Sequence, residues 1–403
     1  MIRGTLNVKI ESPFWDDALK KSMEEPVVPE WLTEDYIAEL ENTYSLFGDM
    51  APYIFQARVQ VVSSPELCLF AKTLYHIIDR NKNFREAFCT FALPKAPEGV
   101  SDTLGYDYVG LFPILAHIRH FVRELTQRGV TPDIIYDTFA FLRKRIQRSV
   151  EKYGKPCLCE KDFSTFRLYV YTNFLIIGRL RFEIYPNSNR NVKAFAHPDG
   201  TVRLLMCDTV LHKNGNILGA VGYTDEEDAY DADFRETDEY YEGYGVDPHS
   251  GLAEKTRTRL PKKDWKCILQ PGDTLLKVHI PLGGKLLKED CDAAYERASR
   301  VFPKAYPEYD FKGFICNTWL LCPVLKTFLK ETSNIVQFQE KYHVFPAKNA
   351  ATDVFLYVYG LTVSSAEEVE PSQLPEDNTM RREVKRLLQE GKYIHQFNGF
   401  APF

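Results

Sequence analysis

The apolar residues of this chain change period near Gly178, and that change limits the folds open to it. Before Gly178 they recur at helical spacing; after it they alternate as in strands. LTEDYIAELENTYSLF opens on Thr33, a capping residue two positions before Asp35. SPELCLFAKTLYHIIDRN opens on Ser-Pro, a cap followed by a first-turn proline. LFPILAHIRHFVRELTQRG is amphipathic and stops at Arg-Gly. TPDIIYDTFAFLRKRIQRSVEKYG starts at Thr-Pro and ends at Lys-Tyr-Gly, and DFSTFRLYVYTNFLIIG, almost wholly apolar, predicts a further buried helix.

Beyond Gly178, RLRFEIYP alternates and ends at proline. VKAFAHPDGTVRLLMCDTVLHKNGNILG reads as strands joined at Pro-Asp-Gly and Asn-Gly turns. The segment 224–244 is Tyr-rich and crowded with Asp and Glu against the single Arg235, which predicts an exposed covering loop. WKCILQPGDTLLKVHIP gives two strands around Pro-Gly-Asp. A helix follows over about 288–302, then a strand in FKGFICNTWLL, a short helix in CPVLKTFL, and SNIVQFQEKYHVFP, a helix running into an extended end. DVFLYVYG reads as a strand, EDNTMRREVKRLLQEG as a capped helix, and KYIHQFNGFAPF as an aromatic tail. A chain of 403 residues exceeds what one core usually spans. The expectation is two domains, helical over 1–178 and mixed-sheet over 179–403, in an α+β or α/β class.

The formal net charge of −6 argues against nucleic acid as a partner, because phosphate neutralisation needs clustered Lys and Arg. The basic run LRKRIQR at 142–148 lies in a helical pattern and reads as a solvated face. No apolar run reaches the roughly 18–20 residues of a membrane span, and no secretory signal opens the chain. The nine scattered Cys suit a reduced, cytoplasmic protein. Cys157 and Cys159 stand one residue apart, a poor zinc spacing, so no metal is expected.

The chemistry concentrates around VHIPLGG at 278–284. His279 ends a strand and has the ordinary titration range of a general base; the plainer reading is a half-buried histidine on a carbonyl. Gly283 and Gly284 would let backbone approach a phosphate, or simply make a left-handed turn. Trp319 would wall a channel beside Asn317, or fill core. Ser333 caps the run at 334, and Gln339 on that helix is a candidate for a cleft. Arg179 and Glu183, four apart on one strand face, predict an ion pair. The acidic segment would attract a cationic amine by its field. No nucleophile elbow, Walker loop, zincin or dinucleotide-binding glycine motif occurs. A Cys316–His279 pair is the one nucleophilic alternative.

Four motifs occur in order: GRLRFE at 178–183, VHIPLGGKL at 278–286, FICNTWLL at 314–321 and SNIVQFQEKY at 333–342. Together they resemble the bacterial two-domain acyltransferase domain-containing family, whose typical wording is GRLQFE, HIPxGGPL, CHSWLL and SNIxxFQ. This chain has Asn317 where the family tends to His, and Lys285 where it tends to Pro. Its adjacent glycines also depart from the Q/R-x-x-G-x-G/A spacing of the GNAT pyrophosphate loop. The resemblance implies a helical N-acyltransferase N-terminal domain and a GNAT-like mixed-sheet domain. It implies an acyl-CoA co-substrate, acetyl or longer, and a small-molecule amine or peptide acceptor. On it, His279 and Asn317 are the catalytic candidates. Pro281, Gly283, Gly284 and Trp319 are the candidates for holding the donor, and Ser333, Asn334 and Gln339 for the acceptor. The competing expectations are a non-catalytic module of the same fold, binding a small molecule or peptide, and a Cys-His hydrolase.

Overall fold

The computed structural model describes residues 14–80, 93–154, 157–158, 165–166, 168–186, 191–281 and 283–403. The chain divides into two compact units, Met1–Ile177 and Gly178–Phe403.

The first unit is helical. Its described helices are α1 (Trp15–Glu24), α2 (Glu34–Tyr44), α3 (Ala51–Ser63), α4 (Pro65–Arg80), α5 (Leu104–Tyr108), α6 (Leu111–Leu115), α7 (Ile118–Gln127), α8 (Pro132–Tyr153) and α9 (Leu168–Tyr171). Thr33 caps α2 as its sequence predicts, its side chain accepting from the Tyr36 N–H at 3.3 Å. The stretch read as one buried helix to Gly178 does not stay helical. α9 stops at Tyr171, Thr172 turns left-handed at φ 51°, and Phe174–Ile177 form strand β1. An apolar run cannot declare its own period, and here tertiary bonds decide it. The Thr138 hydroxyl of α8 accepts from the Ile176 N–H at 3.0 Å, and the Thr138 carbonyl accepts from the Tyr169 hydroxyl at 2.9 Å. Residues 162–164 and 167 of that stretch, and Cys159, lie outside the described residues.

Among the described residues the second unit holds two larger sheets and a small two-stranded one. Its strands are β2 (Leu180–Tyr185), β3 (Val192–Ala196), β4 (Val202–Met206), β5 (Val210–Leu211), β6 (Tyr230–Asp231), β7 (Arg235–Glu236), β8 (Tyr240–Val246), β9 (Ala253–Pro261), β10 (Lys266–Leu269) and β11 (Thr274–His279). Helix α10 (Lys288–Ala305), β12 (Phe311–Thr318), α11 (Asn334–Gln339), β13 (His343–Pro346), α12 (Thr379–Gln389) and β14 (Phe397–Pro402) follow. In the first sheet the strands run β2-β11-β12-β14-β13. β11 and β12 are parallel, joined by α10 as a crossover helix; the other neighbours are antiparallel. The second sheet runs β10-β3-β4-β8-β7, with β9 on β8. The Pro-Gly-Asp turn therefore passes the chain from one sheet to the other and does not close a hairpin.

Phe182 and Phe314 on one face of the first sheet pack against Tyr295 and Phe302 of α10, with ring centroids 5.0–6.3 Å apart. On the other face Leu275, Ile315, Phe345 and Phe400 join Val192, Ala194, Leu204 and Met206 of the second sheet in one buried cluster. Each such large side chain contributes roughly 1.5–3 kcal/mol on burial, so this sandwich fixes the strand register.

Three expectations need correction. The acidic segment is not a free covering loop, because it supplies β6, β7 and β8. Five of its ten acids are ion-paired: Glu242 takes Arg257 and Arg259 of β9, Asp233 takes Arg257, Glu236 takes Lys262, and Lys213 holds Asp225 and Glu227. DVFLYVYG is not a strand but a π-helical turn, Phe355–Tyr359. The Arg381 guanidinium donates to the Val358 carbonyl and the Tyr359 hydroxyl donates to that of Arg381, which hold the turn on α12. The aromatic tail, finally, is an inner strand: β14 lies between β12 and β13.

Candidate functional site

β11 and β12 pair only as far as Val278 and Cys316. Beyond that point β12 continues, held by β14 out to the Thr318–Phe397 pair. β11 instead leaves at Pro281, which lacks the N–H to extend a ladder. The two central strands therefore part at His279 and Asn317.

Period-two geometry decides what faces that opening. His279 stands opposite Arg181, Lys277 opposite both Glu183 and Ile315, and Asn317 opposite Asn398. These side chains share one face of four adjacent strands. It is the face whose apolar part, Leu275, Ile315 and Phe400, lies in the core.

His279 Nε2 lies 3.2 Å from Glu183 Oε2, with the two side chains 29% and 18% exposed. Burial pushes the imidazole pKa down to about 4, and the Arg181 charge adds to this against the pull of Glu183. Burial acts to raise the Glu183 carboxyl, but the bond and charge of His279, with Arg181 and Lys277, hold it below the usual carboxylate range. At neutral pH a carboxylate thus faces a neutral imidazole. The carboxylate can only accept, so Nε2 carries the proton and Nδ1 keeps the lone pair of a base.

The other sequence candidates are placed as follows. Asn317 Nδ2 donates to Asn398 Oδ1 at 2.9 Å. Trp319 is buried on a 3₁₀ turn, Trp319–Leu321, that Thr318 caps. Gln339 does not project into open space; it is buried, and its amide donates to the Leu320 and Cys322 carbonyls at 2.7 and 3.1 Å. It holds the turn that carries Trp319. The Ser333 hydroxyl caps α11, accepting from the Val336 N–H at 3.3 Å, and Asn334 begins that helix.

Gly283 and Gly284 both adopt left-handed backbone, φ 80° and 74°. Arg179 does not form the expected ion pair with Glu183. It sits in the turn before β2, and its guanidinium donates to the carbonyls of Pro281, Lys285 and Gly284 at 2.8, 2.9 and 3.3 Å.

Cys316 lies on the sheet face opposite His279, so the nucleophilic pair is not assembled. It sits instead beside Tyr342, whose hydroxyl meets that of Tyr295 at 2.5 Å, both rings buried. Burial pushes both phenols well above their ordinary range. Sequence reading missed this pair, and Glu183 as the partner of His279. The alternation in RLRFE does place Arg181 and Glu183 on one face, which was the available signal. A small recess is lined by Leu286, Tyr295, Phe338 and Lys341, and by Lys288 in an ion pair with Asp292. Among the described residues no group of three His, Cys, Asp or Glu could hold a metal.

Residues 174–401 match the family described as the GNAT-like C-terminal domain. No curated protein matches the chain. Among solved structures, an acyltransferase mutant in complex with octanoyl-CoA aligns with a TM-score of 0.61 at 17% identity, covering 100% of this chain and 98% of that one. An acyltransferase in complex with decanoyl-CoA and teicoplanin gives 0.59 at 17% identity, and one with CoA and 10C-teicoplanin gives 0.60 at 16%, over the same shares. At these identities the likeness is one of fold.

Proposed function

The chain belongs to the GNAT-like C-terminal domain family, and from that premise we propose that it transfers an acyl group from an acyl-CoA thioester to an amine. The observation that carries this is the neutral His279, oriented by Glu183, at the point where β11 and β12 part. The acyl-CoA complexes of the structural neighbours support the donor. The teicoplanin complexes support an acceptor of small-molecule or peptide-like chemistry. Among the described residues no helix is long and apolar enough to cross a membrane; we place the reaction in the cytoplasm, where the donor is made.

The acceptor amine attacks the thioester carbonyl, forming the C–N bond. His279 Nδ1 takes the ammonium proton as the intermediate forms, and the charged imidazolium is then stabilised by the Glu183 carboxylate. The C–S bond breaks and coenzyme A leaves as the thiolate. Asn317 offers a hydrogen-bonding amide to the reacting groups, and Trp319 walls the acyl channel. Pro281, Gly283 and Gly284 bring backbone to the donor's diphosphate. Ser333 and Asn334 shape the acceptor side, with Gln339 holding the turn beneath it.

Thermal shift with octanoyl-CoA tests donor binding, because a ligand of the folded state raises the midpoint. Free-thiol release in the presence of amines then tests transfer. The expected result is a raised midpoint and amine-dependent release. No shift with any acyl-CoA from acetyl to decanoyl, at millimolar concentration, would sink the proposal.

A further inference from the structure

The backbone around the glycine pair has no side chain of its own to decide which way its peptides face. Gly283 and Gly284 both stand in a left-handed conformation that glycine adopts and leaves at little cost. A Cβ on Gly283 would meet nothing within 4 Å, so packing does not hold it either. What holds it comes from about a hundred positions earlier. The Arg179 guanidinium takes the carbonyls of Pro281, on one side of the pair, and of Gly284 and Lys285, within and after it.

That arrangement has a geometric consequence. A trans peptide is planar, with its C=O and N–H pointing in opposite directions. With the Gly284 and Lys285 carbonyls drawn to the guanidinium, the N–H groups of Lys285 and Leu286 point away from it. Leu286 and Lys288, next along the chain, line the recess together with Lys341 and the Asp292 that takes the Lys288 ammonium. Released, the same peptides could turn their carbonyl oxygens outward and repel an anion. The setting makes this matter, since α10 begins with Glu289 and Asp290, acids that oppose the helix dipole's attraction for phosphate.

We infer that Arg179 is a positioning residue for the acyl donor: by holding three carbonyls it turns the N–H groups of Lys285 and Leu286 outward as the seat of the donor's diphosphate. The inference rests on the acyl-CoA reading above. It explains how a segment with adjacent glycines and no leading Gln or Arg serves that purpose: the arginine is supplied from the turn before β2. Lysine is no substitute, because one ammonium lacks the planar fork that reaches three carbonyls at once.

The test is calorimetric binding of two donors, octanoyl-CoA and S-octanoylpantetheine, which lacks the diphosphate together with the 3′-phosphoadenosine it carries. In the wild type octanoyl-CoA binds at least tenfold more tightly than S-octanoylpantetheine. Arg179→Lys removes most of that ratio, weakening octanoyl-CoA about tenfold or more and S-octanoylpantetheine less than twofold. A purely structural role would weaken both donors alike. If Arg179→Lys does not fold, Gly284→Ala decides by the same ratio, since a Cβ at φ 74° strains these peptides while the guanidinium stays. The inference is overturned by an unchanged ratio in the folded variant, or by a wild type that binds both donors equally. A wild type that binds neither donor overturns the acyltransferase reading itself, and this inference with it.

Discussion

His279 and Glu183 are not backbone partners, yet their side chains meet. Across the antiparallel β2–β11 pair His279 stands opposite Arg181, and Glu183 opposite Lys277. The 3.2 Å contact from Nε2 to Oε2 is therefore a diagonal one, within reach on a twisted sheet face. The contact between the imidazole and the carboxylate is set by register, and a slip of one residue between β2 and β11 would put the two on opposite faces.

His279→Ala should bind octanoyl-CoA as the wild type does and lose transfer by about 10²–10⁴-fold, the range for a general base. Glu183→Gln should bind donor normally and lose roughly tenfold or more in kcat, because the tautomer is no longer enforced. Free-thiol release measures both. Wild-type turnover in His279→Ala would remove it as the base.

The acid limb of the pH–rate profile should follow the imidazole. Transfer needs His279 neutral, so the rate is level near pH 7 and falls as pH drops through about 4. Arg181→Gln removes a charge that depresses this pKa, so the limb should move to higher pH. Glu183→Gln removes a charge that raises it, so the limb should move lower. Shifts in the same direction for both variants would contradict the assignment.

Stability should fall in mild acid through the buried histidines. His117, His279 and His395 each fall from an ordinary 6.5 to about 4, by burial first of all. A depressed folded pKa means the unfolded chain binds protons first as pH falls. The stabilisation is thus full above 6.5 and is lost as pH falls from there toward 4. For His395, whose Nδ1 is buried without a partner, the loss at pH 5 is on the order of 2 kcal/mol. His395→Asn should flatten the fall of the thermal midpoint between pH 7 and 5; an unchanged slope would refute this.

Gln339→Leu leaves the Leu320 and Cys322 carbonyls without their donor and should cost about 1–3 kcal/mol in urea unfolding. Because those carbonyls belong to the turn that carries Trp319, donor affinity should fall too. Wild-type stability would show the amide to be dispensable.

The buried hydroxyls of Tyr295 and Tyr342 should behave as a pair. Either Tyr→Phe change alone should cost about 1–2 kcal/mol by stranding its partner, and Tyr342→Phe the more, since Cys316 also loses a contact. The double variant should cost less than the sum of the two. Strict additivity in a denaturant cycle would show the hydroxyls to be uncoupled.

Much was legible in the chain because it is local. Thr33, Ser333 and Asn378 each cap a helix within three residues, and the change of period near Gly178 separates helical from strand-forming sequence. The order of VHIP, the glycines and the helix after them is local too, and the candidate residues were read from it. Tertiary structure decided which groups meet there. It placed the tail 397–402 inside the sheet and turned Gln339 onto two carbonyls. It joined His279 to Glu183 across 96 positions and Arg179 to the Lys285 carbonyl across 106. Caps and periods follow from backbone bonds a few residues apart. Strand order and register follow from burying two sheet faces at once, and no local pattern carries that information.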